Sequence, residues 1–284
     1  MKRRTFVKNT LVAGIASTLF LPHSLFAAEP EFPDLVIANG KKQEELLKLS
    51  LKAIGGLEQF NLRGKRVLIK PTIQWNSTPE EARDSNPKLI YHLIRQCYDA
   101  HAWEVYVLDH TTDDWRLCYM NSGIEKASKE AFGKIMPANE RHLYQKGKNG
   151  FLFHEMVHKC DLVINVPKLN YDYGTLSSGA MKNLQGLTWG NGNFEPSLND
   201  QKIAALLKTL KPALTVMDAS VVGTGLNQKQ LDLLITGKDC VAIDVLSCQL
   251  LGIDPKTVGY LNIAEEMGEG KLTTYHLTIQ KIYT

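Results

Sequence analysis

Short apolar segments alternate with amphipathic segments along most of the chain. The apolar segments are rich in β-branched residues, as in strands that are covered on both faces. They predict strands at Leu35–Ala38, Lys65–Ile69, Val105–Leu108, Lys134–Met136, Leu162–Val166, Ala213–Met217, Leu231–Thr236 and His276–Lys281. The amphipathic segments predict helices at Lys42–Ile54, Asn86–Ala100, Gly123–Phe132, Asp200–Leu210, Val241–Leu251 and Pro255–Met267. This alternation predicts an α/β fold, with a mostly parallel sheet covered by helices in Rossmann-like layers.

Charged residues follow four of the predicted strands, either directly or after one proline. They are Lys70, Asp109, Lys168 and Asp218. If these strands are parallel, the four side chains meet at the carboxyl edge of the sheet, where open α/β sheets bind ligands. Together with His110 and Lys182 they predict a site for a small anionic ligand, with or without a metal, although each residue alone is more often an ordinary strand end.

The segment Asp161–Gly186 carries most of this chemistry. Its strand ends at Pro167, and a polar loop then leads to a helix start at Ser178-Gly179, whose N–H groups favour anions. Lys182 lies in the first turn, where a lysine opposes the helix dipole and is a poor choice for stability alone. We therefore assign a catalytic role to Lys182, Asp109 and His110 and a ligand-binding role to Lys70, Lys168, Asn183, Asp218 and Asp239, with no metal ligand.

Composition narrows the classes of partner and cofactor. The chain has 284 residues, 44% of them hydrophobic, which is enough for one large domain or two small ones. A net charge of +3 without a basic stripe argues against nucleic acid as a partner. The five cysteines are widely spaced and form no C-x-x-C, so the chain shows no ligand set for an iron–sulfur cluster, and the cofactor stays unknown.

The first 28 residues have the features of an export signal. A basic start is followed by an apolar middle and by small residues at Ala27-Ala28. The start, K-R-R-T-F-V-K, resembles the twin-arginine export motif, and an ordinary secretory signal is the alternative. The resemblance implies a periplasmic protein that uses the twin-arginine translocase and stays anchored to the membrane if the signal is not cleaved. Residues 29–284 are then expected to form a single α/β domain.

Six motifs in sequence order resemble the family called domain of unknown function 362. They are V-L-I-K-P at Val67–Pro71, S-G-I-E-K-A at Ser122–Ala127, D-L-V-I-N-V-P-K-L at Asp161–Leu169, G-A-M-K-N-L-Q-G at Gly179–Gly186, D-A-S-V-V-G at Asp218–Gly223 and G-K-D-C-V-A-I-D at Gly237–Asp244. The resemblance implies an association with redox or iron–sulfur systems, but it names no reaction. The chain departs from the family pattern in two places: Thr72 replaces a usual Asn, and Asn170-Tyr171-Asp172 replaces a usual K-T-H.

A weaker resemblance is to lactate-racemase-like proteins. There a D-H-T-R-P-like motif follows a strand, and a lysine holds a nickel pincer cofactor. Here V-L-D-H-T-T at Val107–Thr112 lacks the arginine, and Lys182 would be the lysine. The resemblance implies proton transfer at a carbon next to a carboxylate, with lysines holding the acid and a histidine as the base.

Two further motifs have ordinary explanations. His154-Glu155-Met156-Val157-His158 fits the zinc-hydrolase pattern H-E-x-x-H, but it runs almost directly into the strand at Leu162 and is better explained as an amphipathic turn. Gly223-Thr224-Gly225 is a lone glycine turn and only a weak phosphate signal.

Two functions therefore stay open. One is an exported α/β enzyme that acts on a small anionic substrate, which the strand-end charges and the export motif favour. The other is a non-catalytic binding or maturation factor for an exported redox or iron–sulfur complex, with a redox protein as partner. The replaced lysine–histidine pair and the absent cluster ligands favour the second.

Overall fold

A sheet of eight strands organises the chain in the computed structural model, which describes residues 32–190, 196–223 and 227–284. The strands of the described residues are β1 (Leu35–Asn39), β2 (Arg66–Pro71), β3 (Glu104–Val107), β4 (Lys134–Ile135), β5 (Tyr144–Lys146), β6 (Leu152–His154), β7 (Leu162–Val166), β8 (Asn170–Asp172), β9 (Leu176–Ser178), β10 (Leu214–Val222), β11 (Lys229–Gly237) and β12 (Ile279–Tyr283). The helices are α1 (Gln43–Ala53), α2 (Pro87–Asp99), α3 (Trp115–Asn121), α4 (Ile124–Glu130), α5 (Glu155–Lys159), α6 (Ala180–Asn183), α7 (Pro196–Leu210), α8 (Cys240–Leu251) and α9 (Gly259–Glu266).

The main sheet has the order β12-β1-β11-β10-β7-β2-β3-β4. Only β11, among its described strands, runs against the others, because it pairs antiparallel with both β1 and β10. All other neighbouring pairs are parallel. The predicted α/β fold with a mostly parallel sheet is therefore confirmed.

Helices cover the sheet because their apolar faces complete its core. One cluster of buried side chains includes Leu47 of α1 and Leu93 of α2. A second cluster includes Val245 of α8 and Leu261 of α9. Most of α8 is buried, which explains why this helix is apolar on nearly every side. The residues from Pro33 to Thr284 group into one compact unit.

Several local predictions differ from the structure. The strand expected to end before Asp218 runs on to Val222, because β10 and β11 pair as a long hairpin. Asp218 is therefore inside a strand. The region 143–150, where no strand was predicted, contains β5, which pairs with β6, and the polar loop after Leu169 folds as the hairpin β8–β9. These strands have three residues each, too few for a periodic pattern to show.

The predicted export signal, Met1–Ala28, lies outside the described residues. Thr224 and Gly225 of the lone glycine turn do as well. Among the helices that the structure describes, none is long and apolar enough to cross a membrane.

Candidate functional site

A cleft of about 630 Å³ lies at the carboxyl ends of β2 and β3. Parallel strands bring together side chains that follow β2 and β3, and α6 with the turn after it closes another side. Five of the residues predicted from the sequence line this cleft: Lys70, Asp109, His110, Lys182 and Asn183. The other three predicted residues, Lys168, Asp218 and Asp239, are not among its lining residues.

Lys70 forms the floor of the cleft and is almost completely buried. Its Nζ lies 2.8 Å from Asp109 Oδ1. The same atom donates to Asn183 Oδ1 at 2.9 Å and to the Pro71 carbonyl at 2.6 Å. These contacts use every N–H donor of the ammonium group. Lys70 therefore orients Asp109 and Asn183, and a ligand contact to Lys70 requires one of these bonds to be exchanged.

Burial moves the pKa values of this ion pair towards each other. It raises the pKa of Asp109 to about 6, although Lys70 and the N–H of Ile73 act in the opposite direction. It lowers the pKa of Lys70, against the attraction of Asp109. Burial thus narrows the gap between the proton affinities of the lysine and the aspartate.

Gly186 lies directly against this ion pair. A Cβ at this position would be 1.8 Å from Asp109 Oδ1 and 2.5 Å from Lys70 Cε, so no larger residue fits without displacing them. The carbonyl of Gly186 accepts the His110 N–H at 2.9 Å, which joins the turn after α6 to the end of β3. The final glycine of G-A-M-K-N-L-Q-G is thereby explained by close approach.

His110 stands beside the pair, on the wall of the cleft. Its ring packs edge-on against Trp189, with centroids 5.3 Å apart, and against Tyr144 at 6.0 Å. Burial lowers the pKa of His110, and the positive charge of Lys70 lowers it further. The imidazole is therefore neutral at neutral pH and can accept a proton.

Asp244 holds the helix that carries Lys182 and Asn183. Its carboxylate accepts the N–H groups of Ala180 and of Met181, the latter at 3.0 Å. A Cβ on Gly179 would lie 2.2 Å from Asp244 Oδ1, which explains the first glycine of the motif. The N–H groups expected to attract a ligand anion are thus taken by the protein's own carboxylate, whose pKa burial raises to about 7.

Lys182 lies at the edge of the cleft and is paired with Asp172. The distance from Lys182 Nζ to Asp172 Oδ2 is 2.5 Å, and both side chains are partly exposed. Partial burial pushes the pKa of Asp172 up, but Lys182 and Thr175 outweigh it and hold this pKa below its usual value. Unlike Lys70, Lys182 keeps N–H donors beyond this contact.

The remaining predicted residues have contacts outside the cleft. Lys168 Nζ lies 3.3 Å from Asp218 Oδ2, and both side chains are fully buried. Asp218 also accepts the N–H groups of Asn86 and Ser220 and the Ser220 hydroxyl. Asp239 caps α8 by accepting the Ala242 N–H at 3.0 Å.

The model of the family described as Domain of unknown function (DUF362) matches residues 67–249, which is well over half of the chain and includes every residue that lines the cleft. The chain belongs to this family. The structure also shows what its two departures from the family pattern do. Thr72 donates its hydroxyl to Asn183 Oδ1 at 2.9 Å and accepts the Lys168 N–H at 2.9 Å, so it links both lysine segments. Asp172 supplies the carboxylate that neutralises Lys182.

Two solved structures with a similar fold have low identity to this DUF362 protein. The lactate racemase apoprotein from Thermoanaerobacterium thermosaccharolyticum is 13% identical, with a TM-score of 0.48 over 76% of this chain and 56% of that chain. A protein from Thermotoga maritima is 12% identical, with a TM-score of 0.44 over 78% of this chain and 59% of that chain. This chain spans less than two thirds of either protein, and no curated protein matches it.

The H-E-x-x-H segment of this DUF362 protein has no geometry for zinc. His154 is buried; its Nδ1 accepts the Met156 N–H at 3.1 Å and its Nε2 donates to the Pro137 carbonyl at 3.0 Å. Both ring nitrogens are therefore used. Across the described residues, no group of three or more His, Cys, Asp and Glu side chains is placed to hold a metal ion.

Lys182 does not fit the cofactor that the resemblance to lactate-racemase-like proteins implies. Attachment to a cofactor needs a free amine. In this structure Lys182 Nζ is held by Asp172 Oδ2 at 2.5 Å, so the amine is not free.

Proposed function

We propose that this DUF362 protein binds a small anionic ligand in the cleft and transfers a proton on it. Lys182 holds the anion, and Asp109 and His110 serve as the acid and base. The main support for this proposal is the buried carboxyl of Asp109, which lies beside a neutral imidazole. Burial raises the pKa of this carboxyl to about 6. Groups that titrate near neutral pH are suited to general acid–base catalysis.

Lys182 is the anchor because its charge is only partly satisfied. All N–H donors of Lys70 are used in contacts at the floor of the cleft, whereas Lys182 is paired with the carboxylate of Asp172 at the edge. An incoming carboxylate or phosphate shares Lys182 with Asp172 or displaces it. Asp172 therefore competes with the ligand.

The site of action that we propose is the periplasm. The motif K-R-R-T-F-V-K supports export through the twin-arginine translocase. Fractionation of cells that carry the native chain, or a chain with Arg3 and Arg4 replaced by Lys, tests this. The native protein is expected in the periplasmic or membrane fraction and the variant in the cytoplasm; equal distribution of the two would contradict it.

Binding is tested by titration calorimetry of the full chain with a panel of small carboxylates and phosphates. We expect Lys182→Met to abolish binding and Asp172→Asn to tighten it about fivefold, because one competing ion pair is lost. Lys256→Met, at an exposed lysine outside the cleft, is the control and should bind like the native protein.

Proton transfer is tested by NMR in D₂O. We expect the bound acid to gain deuterium at the carbon next to its carboxylate, and Asp109→Asn and His110→Gln to stop this exchange while binding persists. Binding without any exchange in the native protein would assign it to the alternative, a non-catalytic binding or maturation role.

A further inference from the structure

The polar side chains that line the cleft differ in their remaining capacity for hydrogen bonds. Lys70 and Asn183 have none to spare. Asn183 Oδ1 accepts from Lys70 and Thr72, and its Nδ2 donates to the Lys70 carbonyl at 3.1 Å and to Asn165 Oδ1 at 2.8 Å. A ligand gains nothing from these groups unless it breaks the floor of the cleft.

Gln74 and Thr112, on the wall, are different. Both side chains are exposed to the cleft and make no hydrogen bond to another residue of the described ranges. They lie together, because the Thr112 N–H donates to the Gln74 carbonyl at 2.8 Å. An amide and a hydroxyl both donate and accept, which is the pattern that a hydroxyl group on a ligand matches.

Trp189 supplies an apolar surface to the cleft. Its ring is fixed by His110 at 5.3 Å and by Tyr144 at 5.2 Å. Ligand sites are usually lined mainly by apolar side chains, and this cleft is lined mainly by amides, hydroxyls and charges. Polar walls are costly to desolvate unless the ligand replaces the lost hydrogen bonds. A ligand that carries several hydrogen-bonding groups therefore fits these walls better than an apolar one.

We propose that the ligand is a polyhydroxylated monocarboxylate, with its carboxylate on Lys182, its hydroxyl groups on Gln74 and Thr112, and its C–H face against Trp189. The inference rests on the proposed function, since Lys182 is again the anchor. One lysine with donors to spare accounts for a single negative charge. A volume of about 630 Å³ accommodates a longer chain than that of the shortest hydroxy acids.

Three probes separate charge from hydroxylation: gluconate, hexanoate and sorbitol. Hexanoate has the same charge and chain length as gluconate without its hydroxyl groups, and sorbitol has the hydroxyl groups without the charge. By titration calorimetry we expect gluconate to bind at least about tenfold more tightly than hexanoate and sorbitol, since a polar group that a ligand covers without replacing its hydrogen bonds to water costs about this factor.

The variants Gln74→Leu and Thr112→Val are expected to remove this preference and to leave hexanoate binding unchanged. Thr273→Val and Gln280→Leu, at exposed positions outside the cleft, serve as matched controls and should keep it. Hexanoate binding as tightly as gluconate, or a preference that survives both cleft variants, overturns the polyhydroxylated class and leaves the proposed function standing. If neither the carboxylates nor the phosphates of the panel bind, or if Lys182→Met leaves their binding unchanged, the proposed function itself fails.

Discussion

Two buried lysine–aspartate pairs lie near each other in this sheet, and their surroundings differ. The pair of Lys70 and Asp109 borders the cleft, whereas that of Lys168 and Asp218 does not. Thr72 connects them, because its hydroxyl bonds to the Lys168 N–H and to Asn183. A charged residue that follows a strand therefore lies at the edge of the sheet, but the side chains around it determine whether it can contact a ligand.

The pair of Lys168 and Asp218 joins separate segments of the chain. Asp218 accepts from the N–H of Asn86, which caps α2, and from Ser220 on its own strand. The lysine and the aspartate also form a parallel bridge between the end of β7 and β10. The arrangement stabilises the junction between β7, β10 and α2 and offers no face to a ligand in the cleft.

The largest expected effect comes from removing the lysine of the pair of Lys168 and Asp218. Lys168→Met leaves Asp218 buried without its cation, and we expect the free energy of unfolding to fall by about 3–5 kcal/mol. Lys70→Met should cost less, because the pKa of Asp109 is already about 6 and its carboxyl can take up a proton at the cleft. Urea denaturation at neutral pH measures both.

The double variant Lys168→Met/Asp218→Asn is the control for this comparison. Removing the unpaired charge should recover part of the loss. A larger loss of unfolding free energy for Lys70→Met than for Lys168→Met would contradict the distinction between the pair that borders the cleft and the pair that does not.

The next largest effect is expected at Gly186, whose missing side chain leaves room for the pair of Lys70 and Asp109. Gly186→Ala would place a methyl group on Asp109 Oδ1, and we expect a loss of about 1–3 kcal/mol in unfolding free energy together with loss of ligand binding. Gly174→Ala is the matched control, since its Cβ would meet only Asp172 Oδ1, at 3.5 Å, and should cost less than about 0.5 kcal/mol. Equal losses in the two variants would show that contact with the pair is irrelevant.

The sequence predicted the gathering of the cleft residues because each follows a local rule. Lys70 and Asp109 come at or just after apolar strands, and parallel pairing of β2 with β3 brings them together. Lys182 and Asn183 lie where the helix start after the β8–β9 hairpin was expected. These positions need only strand ends and sheet direction, both of which leave a local pattern.

What the sequence could not reveal depends on contacts between distant positions. Asp244 holds the start of α6 from 64 positions away, and Thr72 bonds to Asn183 over 111 positions. The only local signal for Asp244 is a charge on an otherwise apolar helix. Likewise, nothing near Asp218 in the sequence shows that its ion pair lies away from the cleft. Its surroundings come from the extension of β10 and from Asn86, which belongs to another element.

The smallest expected effect is a shift in the pKa of Asp109 when Lys70 is replaced. Its folded pKa of about 6 lies above the usual value, so its contribution to stability is present below about pH 4 and is lost as the pH rises through 6. Lys70 holds this pKa down against burial, so Lys70→Met should raise it by about one unit, or about 1.4 kcal/mol, and extend that loss to higher pH. Carboxyl chemical shifts followed by NMR measure the midpoint, with Lys182→Met as the control because Lys182 is not among the groups that shift Asp109. An unchanged midpoint in Lys70→Met would mean that burial and the backbone N–H groups set the proton affinity of the Asp109 carboxyl, and Lys70 would then have no part in tuning the proposed acid.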